Sequence, residues 1–278
     1  MSEVRANSRR NFVLMRHGER ADWKREYVSR PWDPPLTEEG TAKVATVAST
    51  HFPKANLCKV VSSPFTRCLE TAAAARAELG ITTRVLVDNG LAEIFNSRKL
   101  CVDSAPAMPS LAECTHDPGC ALSCRGTPHP RPLAMPLLPR VAHTNDPRLC
   151  PLLPRLAAHP RPPAMPSLAE MEEALPGVLD LGTPSAVSLP AWGEPDKPDG
   201  YKRMHAAVRR LVDAHASQGV LLVTHGDAIA AVFESLRPGT MVYGVDFCAF
   251  IQVCCGVHDG DEWEITEYVG IQYTDSFS

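Results

Sequence analysis

A chain of 278 residues, 44% hydrophobic and 22% charged, has the composition of a soluble globular protein and room for one large domain or two small ones. A net charge of −4 and a pI near 6.2 exclude a general nucleic-acid or membrane-surface binder, so any basic patch is local. The opening MSEVRANSRRNF lacks the apolar core of a signal peptide and no stretch approaches the roughly 20 apolar residues of a membrane span; with 10 cysteines scattered outside any secretory context, the expectation is reduced thiols in the cytoplasm.

In chain order, NFVLMRH at 11–17 reads as a buried strand that runs straight into charge. LTEEGTAKVATVAST at 36–50 reads as a helix capped by Thr37, with Val44, Val47 and Ala48 on one face. CKVVSS at 58–63 is a second strand; Ser63 followed by Pro64 predicts a helix start, and the helix to Leu79 aligns Leu69, Ala72 and Ala73. RVLVDNGL at 84–91 predicts a third strand.

The next region breaks the pattern. More than half of the chain's 26 prolines fall between Ser104 and Pro166, and the region repeats itself. PAMPSLAE occurs at 106–113 and again at 163–170, HPRPLAMPLLPR at 129–140 echoes HPRPPAMPSLAE at 159–170, and PLLPR recurs at 136–140 and 151–155. Each proline removes a donor and fixes φ, so a packed helix or strand cannot carry them this densely. With no regular period there is no case for a solenoid. The reading is a disordered, proline-rich insertion, 104–170, between two halves of one domain, 11–103 and 171–275. Cys114, His116, Cys120 and Cys124 lie in it without the spacing of a zinc knuckle, so no metal site is expected.

After it, YKRMHAAVRRLVDAHAS at 201–217 is an amphipathic helix feeding the strand VLLVTH at 220–225. A short helix follows from Asp227 to Leu236, and DFCAFIQVCC and DEWEITEYV close the chain as strands about a turn at Asp259–Gly260. In this strand, Cys254 and Cys255 point to opposite faces, so one is expected in the core. His205 and His215 read as surface residues, and Cys68 as packing. Such alternation predicts an α/β three-layer sandwich, a mostly parallel central sheet with helices on both faces.

Four strands of this reading end in polar or charged residues: Arg16, His17 and Gly18; SSPFTR, with Arg67 on the next helix; GLAE, with Glu93; and Thr224, His225 and Gly226. Charge packed against core strands is costly unless an opposite charge is meant to sit there. The carboxyl ends of strands in open α/β sheets form the crevice where ligands bind, and glycines after both histidines would let backbone approach a ligand closely. The arrangement calls for a compact dianion, and phosphate fits.

LMRHGERAD, DPPLTEEG, SSPFTRCLETA, GLAE and VLLVTHGDAI resemble, in order and spacing, the motifs of the histidine phosphatase superfamily, the phosphoglycerate-mutase-like fold. They look most like its eukaryotic branch, which includes the phosphatase domains of suppressor-of-T-cell-receptor-signalling proteins and insect steroid-phosphate phosphatases. The resemblance covers 11–95 and 198–232, fits the tail loosely and does not extend to 96–197. It implies that His17 takes the phosphoryl group as a phosphohistidine, that Arg16, Arg67 and Arg20 bind phosphoryl oxygens, and that His225 donates to the same oxygens. It implies that Glu93 protonates the leaving oxygen and then activates water. Asp22 and Glu19 would orient the loop.

The chemistry agrees. Phosphomonoester hydrolysis needs stabilisation of charge on equatorial oxygens more than covalent work, and preorganised cations can supply it. The expectation is therefore a phosphatase of phosphomonoesters with no metal and no cofactor, its partner a phosphorylated small molecule or phosphopeptide. Nothing in the sequence sets an oligomeric state. The alternatives on the same scaffold are a phosphoglycerate mutase or a sugar bisphosphatase, against which IFNSRKL follows Glu93 where mutases carry a stretch like RHYG. A non-catalytic phospho-ligand binder is the alternative of another class.

Overall fold

Alternate residues of a strand point to opposite faces, and in FVLM every position is apolar, as a sheet covered on both sides requires. The computed structural model, which describes residues 10–24, 28–100, 162–215, 218–256 and 262–275, has this form. Strands β1 (Arg10–Arg16), β2 (Leu57–Ser62), β3 (Leu86–Val87), β4 (Gly219–Thr224), β5 (Thr240–Cys255) and β6 (Trp263–Asp275) make one sheet in the order β3-β2-β4-β1-β5-β6. The first four run parallel, and β5 and β6 complete the sheet antiparallel.

Val13, Met15, Leu221 and Val223 face a core shared with Val44 and Ala48 of helix α1 (Glu38–His51) and Leu69 and Ala72 of α2 (Thr66–Glu78). Phe12, Leu14, Val220 and Leu222 face the other, filled by Val208, Leu211 and Val212 of α5 (Tyr201–Ala214) and Ile229, Val232 and Phe233 of α6 (Gly226–Leu236). Fully burying each such aliphatic or phenyl side chain contributes roughly 1.5–3 kcal/mol. Because both faces are covered, Cys254 and Cys255 are both buried, not one of them. His205 and His215 of and beside α5 are half-buried rather than on the surface; the His205 ring lies 6.1 Å from Trp263.

Local chemistry moves three boundaries. The third strand is only Leu86–Val87, because the Asp88 carboxylate accepts from Gly90 N at 2.9 Å and turns the chain into a single 3-10 turn, Asn89–Leu91. Helix α2 begins at Thr66 rather than after Ser63: its first N–H is capped from a distance by Asp33, which accepts from Thr66 N and Oγ1 at 2.8 and 2.7 Å. The packed domain also begins before 171 in its second half. Helix α4 (Leu168–Ala174) starts with a capping box between Ser167 and Glu170. Around it Arg30 pairs with Glu170, Trp32 Nε1 donates to Ala164 O at 3.2 Å, and Met171 is buried. The copy of PAMPSLAE at 163–170 therefore belongs to the packed domain.

Contacts divide the chain into one compact unit, Met1–Ala105 with Pro160–Ser278, and a second, Pro106–His159. The second unit lies outside the described residues, as do the four zinc-site candidates and the turn at Asp259–Gly260. A short helix, α3 (Ser97–Leu100), ends the first described half. Among the described residues no helix is long and apolar enough to cross a membrane.

Candidate active site

Strand register brings the histidines together. Arg16 pairs with Thr224 across β1 and β4, so the residues after them, His17 and His225, leave adjacent parallel strands on the same edge. Their rings stand 5.5 Å apart, centroid to centroid, at 67°. Arg67 enters from the first turn of α2, and Glu93 from the loop that Asp88 turns. Four of the predicted residues thus converge: His17, Arg67 and His225 are at most 2% exposed, and Glu93 Oε2 lies 3.3 Å from His225 Nδ1 and 3.9 Å from Arg67 Nη2.

Hydrogen bonds fix the tautomers. His17 Nδ1 lies 2.8 Å from the carbonyl oxygen of Gly18; a carbonyl only accepts, so Nδ1 carries the proton and Nε2 keeps its lone pair. Burial, then Arg67 and Arg16, holds the His17 imidazole well below its ordinary value of 6.5. At His225, Arg67 Nη2 can only donate to Nδ1, at 3.2 Å. Its Nε2 therefore bears the proton and donates to Ser63 Oγ at 2.9 Å. Burial, then Arg67, keeps this ring neutral as well. Both its nitrogens are engaged, Nδ1 by Arg67 and Nε2 by Ser63, which leaves it no spare donor in this arrangement. Burial, then Asp227, raises the Glu93 carboxyl above 4.5, with Arg67 opposing.

The arginines differ in how they are compensated. Arg67 lies over the Phe65 ring at 4.4 Å and donates to Trp32 O at 3.3 Å, with Asp33 Oδ1 3.7 Å from Nη1. Arg20 is gripped by Asp22, Nε to Oδ1 at 2.9 Å and Nη2 to Oδ2 at 2.6 Å. Arg16 donates to Val245 O and lies 4.5 Å from the centroid of Phe247; among the described residues no carboxylate comes within ion-pair distance of it. Arg16 Nε and Arg67 Nε are buried donors without a hydrogen-bond partner among the described residues. A buried orphan N–H is uncommon and calls for an acceptor. Arg16, Arg20, Glu93 and Gly226 line a cavity of about 300 Å³.

At Gly226 a Cβ would stand 3.6 Å from Arg16 Nε, an ordinary contact. At Gly18 a Cβ would meet Gly40 O at 3.0 Å and Val44 Cγ2 at 3.1 Å, so the glycine makes room for α1. Glu19 accepts from Thr37 Oγ1 at 3.3 Å and ties its loop to that helix's cap. Cys68 is packed 3.6 Å from His225 Nε2, and burial pushes its thiol up to about 12, which leaves it protonated and inert.

Three contributions had no local signal in the sequence. Ser63 holds His225, and Asp33 holds α2 and Arg67. The third is an irregularity in β5, where register shifts between Val245 and Phe250. There Cys248 takes φ +64° and its N–H donates to His17 O at 3.2 Å, while Val245 O and the Phe247 ring hold Arg16. The bulge re-aims the strand over the site. Trp23, 71% exposed, stacks edge-on against Phe247 at 5.7 Å.

Fold and site together define an α/β protein with a buried histidine pair set among arginines at the carboxyl edge of its parallel strands. The sequence matches the model of the Histidine phosphatase superfamily (branch 1) over residues 12–98 and 167–267, and the chain belongs to that family. Its fold is similar to that of the ecdysone phosphate phosphatase from Bombix mori solved with tungstate, at 16% identity and a TM-score of 0.55, over 97% of this chain and 96% of that one. It is also similar to a phosphoglycerate mutase from Bacillus anthracis str. Sterne, at 15% identity and a TM-score of 0.51, over 95% and 94%. Comparison with curated proteins finds no match.

Proposed function

We propose that the protein hydrolyses phosphomonoesters through a phosphohistidine at His17, without a metal ion. The observation that carries this reading is the His17 Nδ1 contact to Gly18 O at 2.8 Å, which leaves Nε2 free as a nucleophile inside a cluster of arginines. In the first step the Nε2 lone pair forms the N–P bond as the P–O bond to the leaving group breaks, and the Glu93 carboxyl gives its proton to the departing oxygen. In the second, Glu93 as carboxylate takes a proton from water, whose oxygen displaces His17 from phosphorus and releases phosphate.

Arg16 and Arg67 turn their unpartnered Nε–H groups, with the rest of their guanidinium edges, to the phosphoryl oxygens. A unit charge pair at 4 Å in a partly screened site interacts by about 4 kcal/mol, so two or three such cations stabilise a dianionic transition state substantially. Arg20, held by Asp22 at the cavity wall, adds to the field. His225 acts through Nδ1, fixing Arg67. Gly18 O steadies the positive charge that develops on the His17 ring. The free cysteines Cys58, exposed, and Cys68, Cys248 and Cys254, buried, suit a reducing compartment, the cytoplasm.

The test is turnover of a phosphomonoester panel in EDTA by the full chain and by His17→Ala, with an acid-labile, base-stable phosphoprotein trapped by rapid quench. Turnover and trapping by the parent chain, and neither by the variant, is the expected result. Turnover that needs added metal, or that survives His17→Ala, overturns the proposal.

A further inference from the structure

The cavity beside the histidines has a second wall that the chemistry above does not use. Lys99 at the end of α3, Tyr201 at the start of α5 and Asp227 in the first turn of α6 line it together with Arg16, Arg20 and Glu93. Asp227 is shared: Oδ2 lies 2.5 Å from Lys99 Nζ, and Oδ1 accepts from the Tyr201 hydroxyl at 3.4 Å. Burial, then the Asp227 charge, keeps that hydroxyl protonated. The wall is therefore charge-balanced but rich in hydrogen-bonding groups. Lys99 has further N–H donors beyond the one given to Asp227, and the tyrosine can donate or accept. Arg20 is already neutralised by Asp22, which leaves Arg16 as the cavity's cation without a carboxylate partner among the described residues.

We propose that Lys99, Tyr201 and Asp227 form the leaving-group subsite, and that it takes the neutral, hydroxyl-bearing alcohol of a small sugar or polyol monophosphate; this rests on the phosphatase reading. A second phosphate or a carboxylate on the leaving group would meet a lysine already paired and an aspartate of its own sign. An apolar group would strip buried polar atoms of partners, and only Ala230, Val242 and Val245 on the cavity wall would offer it packing in return. Hydroxyls can insert into the Lys99–Asp227–Tyr201 set, donating to the carboxylate and accepting from the ammonium. A cavity of about 300 Å³ stands at the small end of ligand sites, which suits a phosphoryl group with a few-carbon polyol or one hexose ring.

The experiment compares kcat/KM for glycerol phosphate and a hexose monophosphate with that for a hexose bisphosphate, 3-phosphoglycerate and 4-nitrophenyl phosphate. It uses the full chain, Tyr201→Phe and Lys99→Gln. The polyol monophosphates should exceed the doubly anionic analogues by about tenfold or more, the worth of one or two well-made hydrogen bonds. Each variant should lower kcat/KM for the polyol monophosphates about ten times more than for the aryl phosphate, mainly through KM. Equal losses on both substrates, or a preference for the bisphosphate or the phosphoglycerate, overturns the subsite while aryl phosphate turnover dependent on His17 keeps the hydrolase. No turnover of any phosphomonoester overturns both.

Discussion

Asp33 is the residue whose removal should cost most for its size. It is 4% exposed and far in sequence from what it holds, accepting from Thr66 N and Oγ1 at 2.8 and 2.7 Å and standing 3.7 Å from Arg67 Nη1. At that separation and an effective dielectric near 20 the attraction is about 4–5 kcal/mol gross, and desolvation of both groups offsets much of it. Deletion is another matter, because Asp33→Ala leaves the buried guanidinium with only the Glu93 carboxyl, 3.9 Å from Nη2, and breaking a buried pair costs about 3–5 kcal/mol. It also uncaps α2, for roughly 0.5–2 kcal/mol. The two losses share one side chain and do not simply add, so the expected destabilisation is about 3–5 kcal/mol. Asp33→Asn keeps one acceptor oxygen and should lose less, about 1–3 kcal/mol. Urea unfolding read at unchanged m measures both. A loss below about 1 kcal/mol for Asp33→Ala would show that Arg67 does not depend on this carboxylate, contrary to the magnitude expected for a buried pair.

The pH dependence has a definite sign. His17 must be neutral and is held below 6.5, so the ascending limb of kcat/KM should lie below that pH; Glu93 must be protonated and is held above 4.5, so activity falls as pH rises through its folded value, and Asp227→Asn should move that descending limb to lower pH. A limb left in place by Asp227→Asn would contradict the assignment. Because His17 and His225 refuse protons that the unfolded chain accepts, thermal stability should fall as pH drops below 6.5, and should not fall there if either ring is charged in the folded state. Phe247→Leu removes the ring face over Arg16, about 0.5–2 kcal/mol, and should lower kcat/KM while the protein stays folded by circular dichroism; parent-like kinetics would remove the bulge from the catalytic account. Excising 106–162 yields the same chain as excising 114–170, with PAMPSLAE once before Met171, and that chain should fold and turn over substrate like its parent; insoluble or inactive protein would contradict a dispensable insertion.

What the sequence made legible was whatever a short window contains. The apolar runs of β1 and β4, the Thr37 cap of α1 and the periodicity of α5 each speak for themselves, and strands that end in His-Gly announce a site. Contacts made across the fold are silent in such a window. Ser63 looks like a cap because Ser-Pro usually is one, yet its hydroxyl is spent on His225, 162 residues away. Asp33 caps a helix it does not adjoin. Phe247 reaches Arg16 only through the break in β5 register, which interrupts strand alternation without saying where the side chain goes. In one case the signal was present: SLAE at 167–170 is a capping-box sequence, masked by the prolines around it.

Pairing among the site's charges explains how so much cation can be kept beside a core. Arg67 has Asp33, Arg20 has Asp22 and Lys99 has Asp227, and each pair is nearly neutral when seen from outside. Arg16 instead has a carbonyl and a ring face, which hold a guanidinium in place without cancelling its charge. Burial lowers its affinity for a proton; the more distant Glu93 opposes this, Arg20 and Arg67 push the same way as burial, and Asp227 opposes it. It adjoins His17 in sequence, and its charge is among those that hold the His17 imidazole below its ordinary value. On the proposed mechanism a dianion drawn there by Coulomb attraction arrives at His17, so that binding and attack would be set by one residue pair at the end of one strand.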